Sequence, residues 1–228
     1  MDTKTLFIAF VVAVALGIAS AIVRYFPAKT RLPALGAFST WLVYIFVIGR
    51  SGILADTTRR PPGLAFFLVP MLLTFLAIGF RPTGRDIATS LPLALLIGAQ
   101  AFRVIVELFL HQLWLDGALP KMMTYQGVNF DIFVGGSALL LAGLLMTRSV
   151  PSWILKAWNI VGILMVLNVA VRGVLTVPGP LRMLTDDVPN TGVVTFPYTF
   201  IPSLMVPMAI CLHILSLRHL SAASKHAS

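Results

Sequence analysis

Three ionisable side chains follow one another at four-residue steps inside an apolar stretch of the chain, namely Arg103, Glu107 and His111. Residues four apart share one face of an α-helix and drift around it by only about 40° per step. The spacing allows an Arg103–Glu107 pair with the histidine one turn further along. Because charge is costly to bury in hydrocarbon, such groups usually face a partner or a wet cavity. This face is therefore the first candidate for a functional site.

The rest of the chain has the composition of a membrane protein. Of its 228 residues, 58% are hydrophobic and 11% are charged, whereas soluble domains carry about 25% charged residues. Apolar runs near the roughly 20 residues that a bilayer requires predict an all-α fold. We expect one domain over residues 1–228, an integral membrane bundle of seven transmembrane helices. The predicted spans are 5–24, 34–50, 62–80, 87–114, 130–148, 152–175 and 195–217.

The basic residues predict the orientation of the bundle. Of the 17 Lys and Arg residues, Arg103 and Arg172 lie within predicted spans, nine fall on the side of the C-terminal tail and six on the other side. Because positive segments stay in the cytoplasm, the N-terminus is expected outside and the C-terminus in the cytoplasm. The net charge of +9 favours a bilayer with anionic headgroups as the partner. Nucleic acid is not expected, since the sequence has no basic patch interleaved with aromatic residues.

A second set of polar residues surrounds the fifth and sixth predicted spans. Asn129 precedes the fifth span and Asp131 lies in its first turn, where a carboxylate also stabilises a helix end by itself. Asn168 and Arg172 are four residues apart and share one face of the sixth span. In the predicted orientation, these groups and the outer end of the fourth span lie in the outer third of the membrane. Because sequential helices usually pack together, we expect a polar pocket open toward the periplasmic side.

Each of these side chains has an expected role in binding a small polar or anionic ligand. Arg103 and Arg172 would anchor an anion, while Glu107 and His111 would link binding to a proton. The expected hydrogen-bonding partners of the ligand are Asn129, Asp131 and Asn168. The chain is therefore predicted to bind or transport such a ligand.

Two other functions would use the same residues. A membrane-embedded enzyme, including a metal-dependent hydrolase, would use Glu107 or Asp131 as a base. Zinc or iron could then be held by Glu107, His111 and Asp131; no other cofactor is expected. In a structural or assembly protein, the polar groups would only tie the helices together. The sequence leaves the ligand and the oligomeric state open.

Single residues argue against two familiar seven-helix classes. A retinal protein needs a lysine in the middle of its last helix, and no lysine lies between Lys156 and Lys225. A bis-histidine haem protein needs two histidines at facing depths. His213 is expected near the cytoplasmic end of the last span, whereas His111 is expected near the outer end of the fourth.

Several strings in the sequence resemble a known family. They are F-R-x-x-x-E-x-x-x-H from Phe102, M-T-Y-Q-G-x-N-F-D-I from Met123, W-N-x-x-G-I-L from Trp158 and F-P-Y-x-F-I-P-x-x-x-V-P from Phe196. Together they span roughly residues 100–220 and are similar to a family of bacterial polytopic membrane proteins without an assigned function. The resemblance implies a multi-pass protein of the bacterial cytoplasmic (inner) membrane, and it implies no activity.

Overall fold

The computed structural model describes residues 2–185 and 187–224, and every regular element in these residues is a helix. Short 3-10 turns and one π-helical segment separate or extend the α-helices. The α-helices are α1 (Thr3–Tyr25), α2 (Ala28–Arg50), α3 (Ala65–Phe80), α4 (Pro82–Ser90), α5 (Leu93–Gly98), α6 (Phe102–Leu115), α7 (Asp131–Thr147), α8 (Ser152–Thr176) and α9 (Val206–Ser224).

Five helices of the described chain are long and apolar enough to cross a membrane. They are Thr3–Tyr25, Ala28–Arg50, Leu93–Leu115, Ser152–Thr176 and Ile201–Ala223. A sixth span results if α3 and α4 are counted as one broken helix, and α7 is a shorter apolar helix of 17 residues. The chain is thus all-helical with five or six candidate membrane spans, and the seven-span bundle stays a prediction.

The predicted 87–114 span is wrong at its start. The helix breaks at Leu91, which has an extended backbone (φ −93°, ψ 134°). A proline at the next position disfavours the helical conformation of the residue before it, and Pro92 therefore starts a new helix. The polar helix α4 instead follows α3 at an angle of 76°. From Leu93 the chain continues through α5, one 3-10 turn and α6 to Leu115.

The last span also differs from its prediction. A π-helical segment, Ile201–Met205, precedes α9, which continues to Ser224 rather than ending at residue 217. Pro207 has no N–H, so the Ser203 carbonyl lacks its α-helical donor. The indole Nε1–H of Trp41 on α2 donates to that carbonyl at 3.0 Å. An interior proline thus coincides with a local change of helix type and a bond to a distant helix.

The two long connections fold onto each other beside the end of α6. Gly192 donates its N–H to the Ala118 carbonyl at 2.8 Å, and Lys121 donates its N–H to Asp187 Oδ2 at 2.7 Å. Asn190 is fully buried, and its N–H donates to the Thr176 carbonyl at 3.0 Å. These bonds satisfy backbone groups at one end of the bundle. They fix the segment that leads into α7.

Candidate functional site

A buried ion pair joins α6 to α7. Arg103 is 2% exposed, and its Nε donates to Asp131 Oδ2 at 3.1 Å while Nη2 donates to Oδ1. Such bidentate pairs with a carboxylate are among the strongest hydrogen-bonded contacts of an arginine. The helices approach closely here, because a Cβ on Gly135 would lie 2.9 Å from the Val104 nitrogen. The expected Arg103–Glu107 pair is therefore wrong, since Asp131 offers both oxygens to the guanidinium.

The third nitrogen of the guanidinium, Nη1, contacts a histidine on α9. Arg103 Nη1 lies 3.0 Å from His213 Nε2, and His213 Nδ1 lies 2.8 Å from Asn159 Oδ1. Arginine has only donors, so Nε2 accepts and the ring is neutral with its proton on Nδ1. Asn159 then donates through Nδ2 to the Leu155 carbonyl at 2.8 Å. The ring sits directly on α8, where a Cβ on Gly162 would lie 2.2 Å from its Cε1.

His213 lies at a different position along its helix from the one that the sequence predicts. Since α9 extends to Ser224, His213 lies near the middle of the Ile201–Ala223 span rather than near its end. The contact between Arg103 and His213 also shows that α6 and α9 pack against each other. Gln100, one turn before Arg103, donates its side-chain N–H to the Ala209 carbonyl of α9 at 2.9 Å. Gln100 lies three residues before Arg103, the other helical step that keeps two residues on one face, so a search at three as well as four residues would have found it.

Glu107 is organised by an asparagine rather than by a cation. Its Oε1 accepts a hydrogen bond from Asn129 Nδ2, which also donates to the Met123 carbonyl at 2.9 Å. Asn129 Oδ1 accepts the N–H of Asp131 at 3.0 Å. One buried amide thereby connects the carboxyl on α6, the preceding loop and the first turn of α7.

The second carboxylate oxygen of Glu107, Oε2, has no hydrogen-bond partner among the described residues. The residue is 1% exposed, and Oε2 makes no hydrogen bond to a described residue, although the Tyr125 amide lies close to the carboxyl group. Beside it is a cavity of about 20 Å³ that Glu107, Arg103 and Asp131 line together with apolar residues of α6, α8 and α9. That volume holds about one water molecule. The side chain that carries this buried acceptor therefore lines a small, mainly apolar space.

The structure does not bring the other predicted residues into this cluster. The His111 ring stacks on Tyr125 with ring centroids 4.8 Å apart, and its buried Nδ1 has no hydrogen-bond partner among the described residues. Arg172 Nε donates to Asn168 Oδ1 at 2.9 Å, and Asn168 Nδ2 donates to the Val128 carbonyl at 2.9 Å. These two residues of α8 therefore hold the loop before α7.

The expected metal ligands are also separated. Asp131 accepts a hydrogen bond from Arg103, and Glu107 accepts one from Asn129. The His111 ring stacks on Tyr125. Within residues 2–185 and 187–224, no group of three or more His, Cys, Asp or Glu side chains is placed to hold a metal ion. Glu107, His111 and Asp131 thus do not form the predicted triad.

The long apolar helices and the buried polar cluster between them define a helical protein of the membrane-embedded class. A family model described as a domain of unknown function (DUF8737) matches residues 61–221, and the chain belongs to that family. The match contains every residue of the cluster, from Gln100 to His213. It agrees with the predicted resemblance to a family without an assigned function, whose bacterial origin stays a prediction. No curated protein and no solved structure matches the chain.

Proposed function

We propose that this protein binds or transports a small polar ligand in the membrane, at the cavity beside Glu107. The observation that carries the proposal is the buried Oε2 of Glu107, which has no hydrogen bond to a described residue and belongs to a side chain that lines the cavity. An unsatisfied buried acceptor costs about 1–3 kcal/mol, and more when it is charged. A ligand or a water that donates a hydrogen bond would offset this cost.

The chemistry of the cavity favours a donor as ligand. Arg103, the expected anion anchor, already donates to Asp131 through Nε and Nη2 and to His213 through Nη1. Each nitrogen of Arg103 thus already donates, whereas Oε2 of Glu107 has no hydrogen bond to a described residue and is an acceptor. We therefore propose an alcohol or an amine at Glu107. An anion stays a prediction for Arg172, which is half-buried and whose Nε is bonded to Asn168.

We also propose that α3 and α7 cross the bilayer, which gives seven spans with the N-terminus outside and the C-terminus in the cytoplasm of a bacterial cell. At 1.5 Å per residue, the 17 residues of α7 extend about 25 Å. The C-terminal ends of α1 and α3 share an apolar cluster with α4 and with Leu212 and Leu215 of α9. Basic residues concentrate around this cluster, as the cytoplasmic side requires; they include Arg24, Lys29, Arg31, Arg81, Arg85 and Arg218.

A structural role is the second candidate, and one observation favours it. Arg103 has acceptors on all three of its nitrogens, as expected of a group that only ties helices together. The enzymatic alternative would use Glu107 with His111 as a proton carrier. The His111 ring instead lies against Tyr125 and Trp114.

The test compares Glu107→Gln with Asp116→Asn, which makes the same change of charge at the exposed end of α6. Glutamine keeps the shape of Glu107, but its NH₂ presents a donor to the cavity in place of the acceptor. Thermal unfolding is followed in neutral detergent with propylamine, 1-propanol or propionate. We expect the amine or the alcohol to raise the melting temperature of the wild type and of Asp116→Asn, but not of Glu107→Gln.

Equal effects of all three probes on wild type and Glu107→Gln would contradict binding at Glu107. If, in addition, Glu107→Gln unfolded at a clearly lower temperature than the wild type without any probe, the structural role would be favoured.

A further inference from the structure

We infer that the ligand at Glu107 is an amphiphile with one hydrocarbon chain and an alcohol or amine head, and that it enters sideways from the bilayer. This inference rests on the proposed binding at Glu107. It adds the hydrocarbon chain of the ligand, which extends beyond the cavity.

An apolar crevice of about 60 Å³ lies next to the cavity. Its walls come from α3, α6, α8 and the π-helical segment before α9, and every residue that lines it is apolar. On α8 the wall is formed by the small residues Ala170 and Gly173, opposite Leu68 and Met71 of α3. Apolar space of this kind takes apolar guests.

The crevice and the cavity are neighbours that share a wall. Leu110, Val169, Ile201 and Val206 line both. Leu110 lies one helical turn after Glu107 on α6, so the two spaces meet close to the free carboxylate oxygen. A molecule with its polar end at Glu107 would therefore extend its apolar end into the crevice.

The crevice also reaches the side of the bundle. Its lining residues Leu68, Met71, Ala170 and Gly173 are all partly exposed rather than buried. Their neighbours on α3, Leu72 and Leu73, are 56% and 62% exposed and face the surroundings of the bundle. In a membrane these surroundings are lipid chains, so a guest can enter without crossing water.

The size favours a single chain over a two-chain lipid. An apolar cavity of roughly 150 Å³ accommodates one benzene ring, and the crevice has about 60 Å³. The crevice therefore fits a short run of methylene groups from one chain. It leaves no room for a second chain beside the first. We take the head to be a neutral or cationic donor because Glu107 Oε2 is an acceptor without a hydrogen bond to a described residue.

The experiment uses the full chain in nanodiscs of phosphatidylcholine and a decylamine that carries a diazirine on its chain close to the amine. After illumination, labelled peptides are quantified by mass spectrometry. Gly173→Leu fills the crevice, and Gly136→Leu is its control because Gly136 has no heavy atom near its Cβ position and is exposed. Ala170→Leu is a second filling variant in case Gly173→Leu does not fold.

We expect labelling in residues 64–74 and 169–174 of the wild type and of Gly136→Leu. Filling the crevice should reduce it by about tenfold, and so should Glu107→Gln, because a lost hydrogen bond to a charged group weakens binding by at least that factor. Decanoate with the same diazirine should label these segments far less.

Two results would overturn the inference. If propylamine still stabilises the protein through Glu107 but decylamine labelling ignores Gly173→Leu and Ala170→Leu, the chain does not lie in the crevice, and only the proposed function stands. If labelling is lost in the filling variants but unchanged in Glu107→Gln, the crevice holds lipid chains of any head, and binding at Glu107 fails as well.

Discussion

Replacing Asp131 by leucine would leave the Arg103 guanidinium with Nε and Nη2 unpaired in a site that is 2% exposed. Removing one partner of a buried ion pair typically destabilises a protein by about 3–5 kcal/mol. Arg103→Met should cost a similar amount, because it leaves the Asp131 carboxylate unpaired and also removes the donor to His213 Nε2. We expect each single variant to shift the folding equilibrium by roughly two to three and a half orders of magnitude.

The double variant should be much closer to the wild type. With both charges gone, the remaining defect is the unsatisfied Nε2 of His213, which costs about 1–3 kcal/mol. The coupling between Arg103 and Asp131 is then at least about 3 kcal/mol, more than surface pairs contribute. Glu107→Leu combined with Arg103→Met serves as the control, because Glu107 makes no ion pair with Arg103 in the described structure.

Cys211 provides the assay, since it is the single cysteine of the chain and lies on α9. A fluorogenic thiol reagent would report its exposure as detergent-solubilised protein unfolds in increasing dodecyl sulfate. The reasoning is refuted if the two single costs add up in the double variant, or if Glu107 couples to Arg103 more strongly than Asp131 does.

Three further variants test other contacts by the same unfolding measurement. Gly162→Ala puts a methyl group where His213 packs, so we expect a loss of about 1–3 kcal/mol in the wild type and little further loss in a His213→Ala background; an unchanged midpoint in the wild type would show that the ring can move aside. Trp41→Phe removes the indole donor to the Ser203 carbonyl and should cost about 1 kcal/mol, whereas a gain in stability would argue against that bond. Asn129→Leu deletes the contacts to the carboxylate on α6, the loop carbonyl and the start of α7, and should cost more than Trp41→Phe does; the reverse order would contradict its central position.

The helices were largely predictable because their lengths follow from apolar composition. The predicted 152–175 span agrees with α8 (Ser152–Thr176) and 5–24 agrees with α1 (Thr3–Tyr25). The break before Pro92 was visible in the sequence as a proline preceded by the polar run from Thr83 to Ser90. Total hydrophobicity hides such breaks, since the apolar residues on both sides count toward one span.

The site was predictable only in part. Spacing on one helix places Arg103 and Glu107 on the same face, and the start of a neighbouring helix adds Asp131. Which carboxylate meets the guanidinium depends on how α7 is rotated against α6, and Gly135 permits that approach. The sequence contains the glycine but does not say which helix packs on it. The role of His213 depended in turn on where α9 ends, which apolar composition does not determine.

The hydrogen-bond chain that starts at Arg103 has a fixed direction. Arg103 donates to His213, His213 to Asn159, and Asn159 to the Leu155 carbonyl. A Grotthuss wire needs members that can each take up a proton on one side, release it on the other and then reverse. Here the first member has only donors and the last has only acceptors, so the order cannot be reversed. The hydrogen-bonded row from Arg103 to the Leu155 carbonyl therefore cannot relay a proton by itself, even though it contains a histidine.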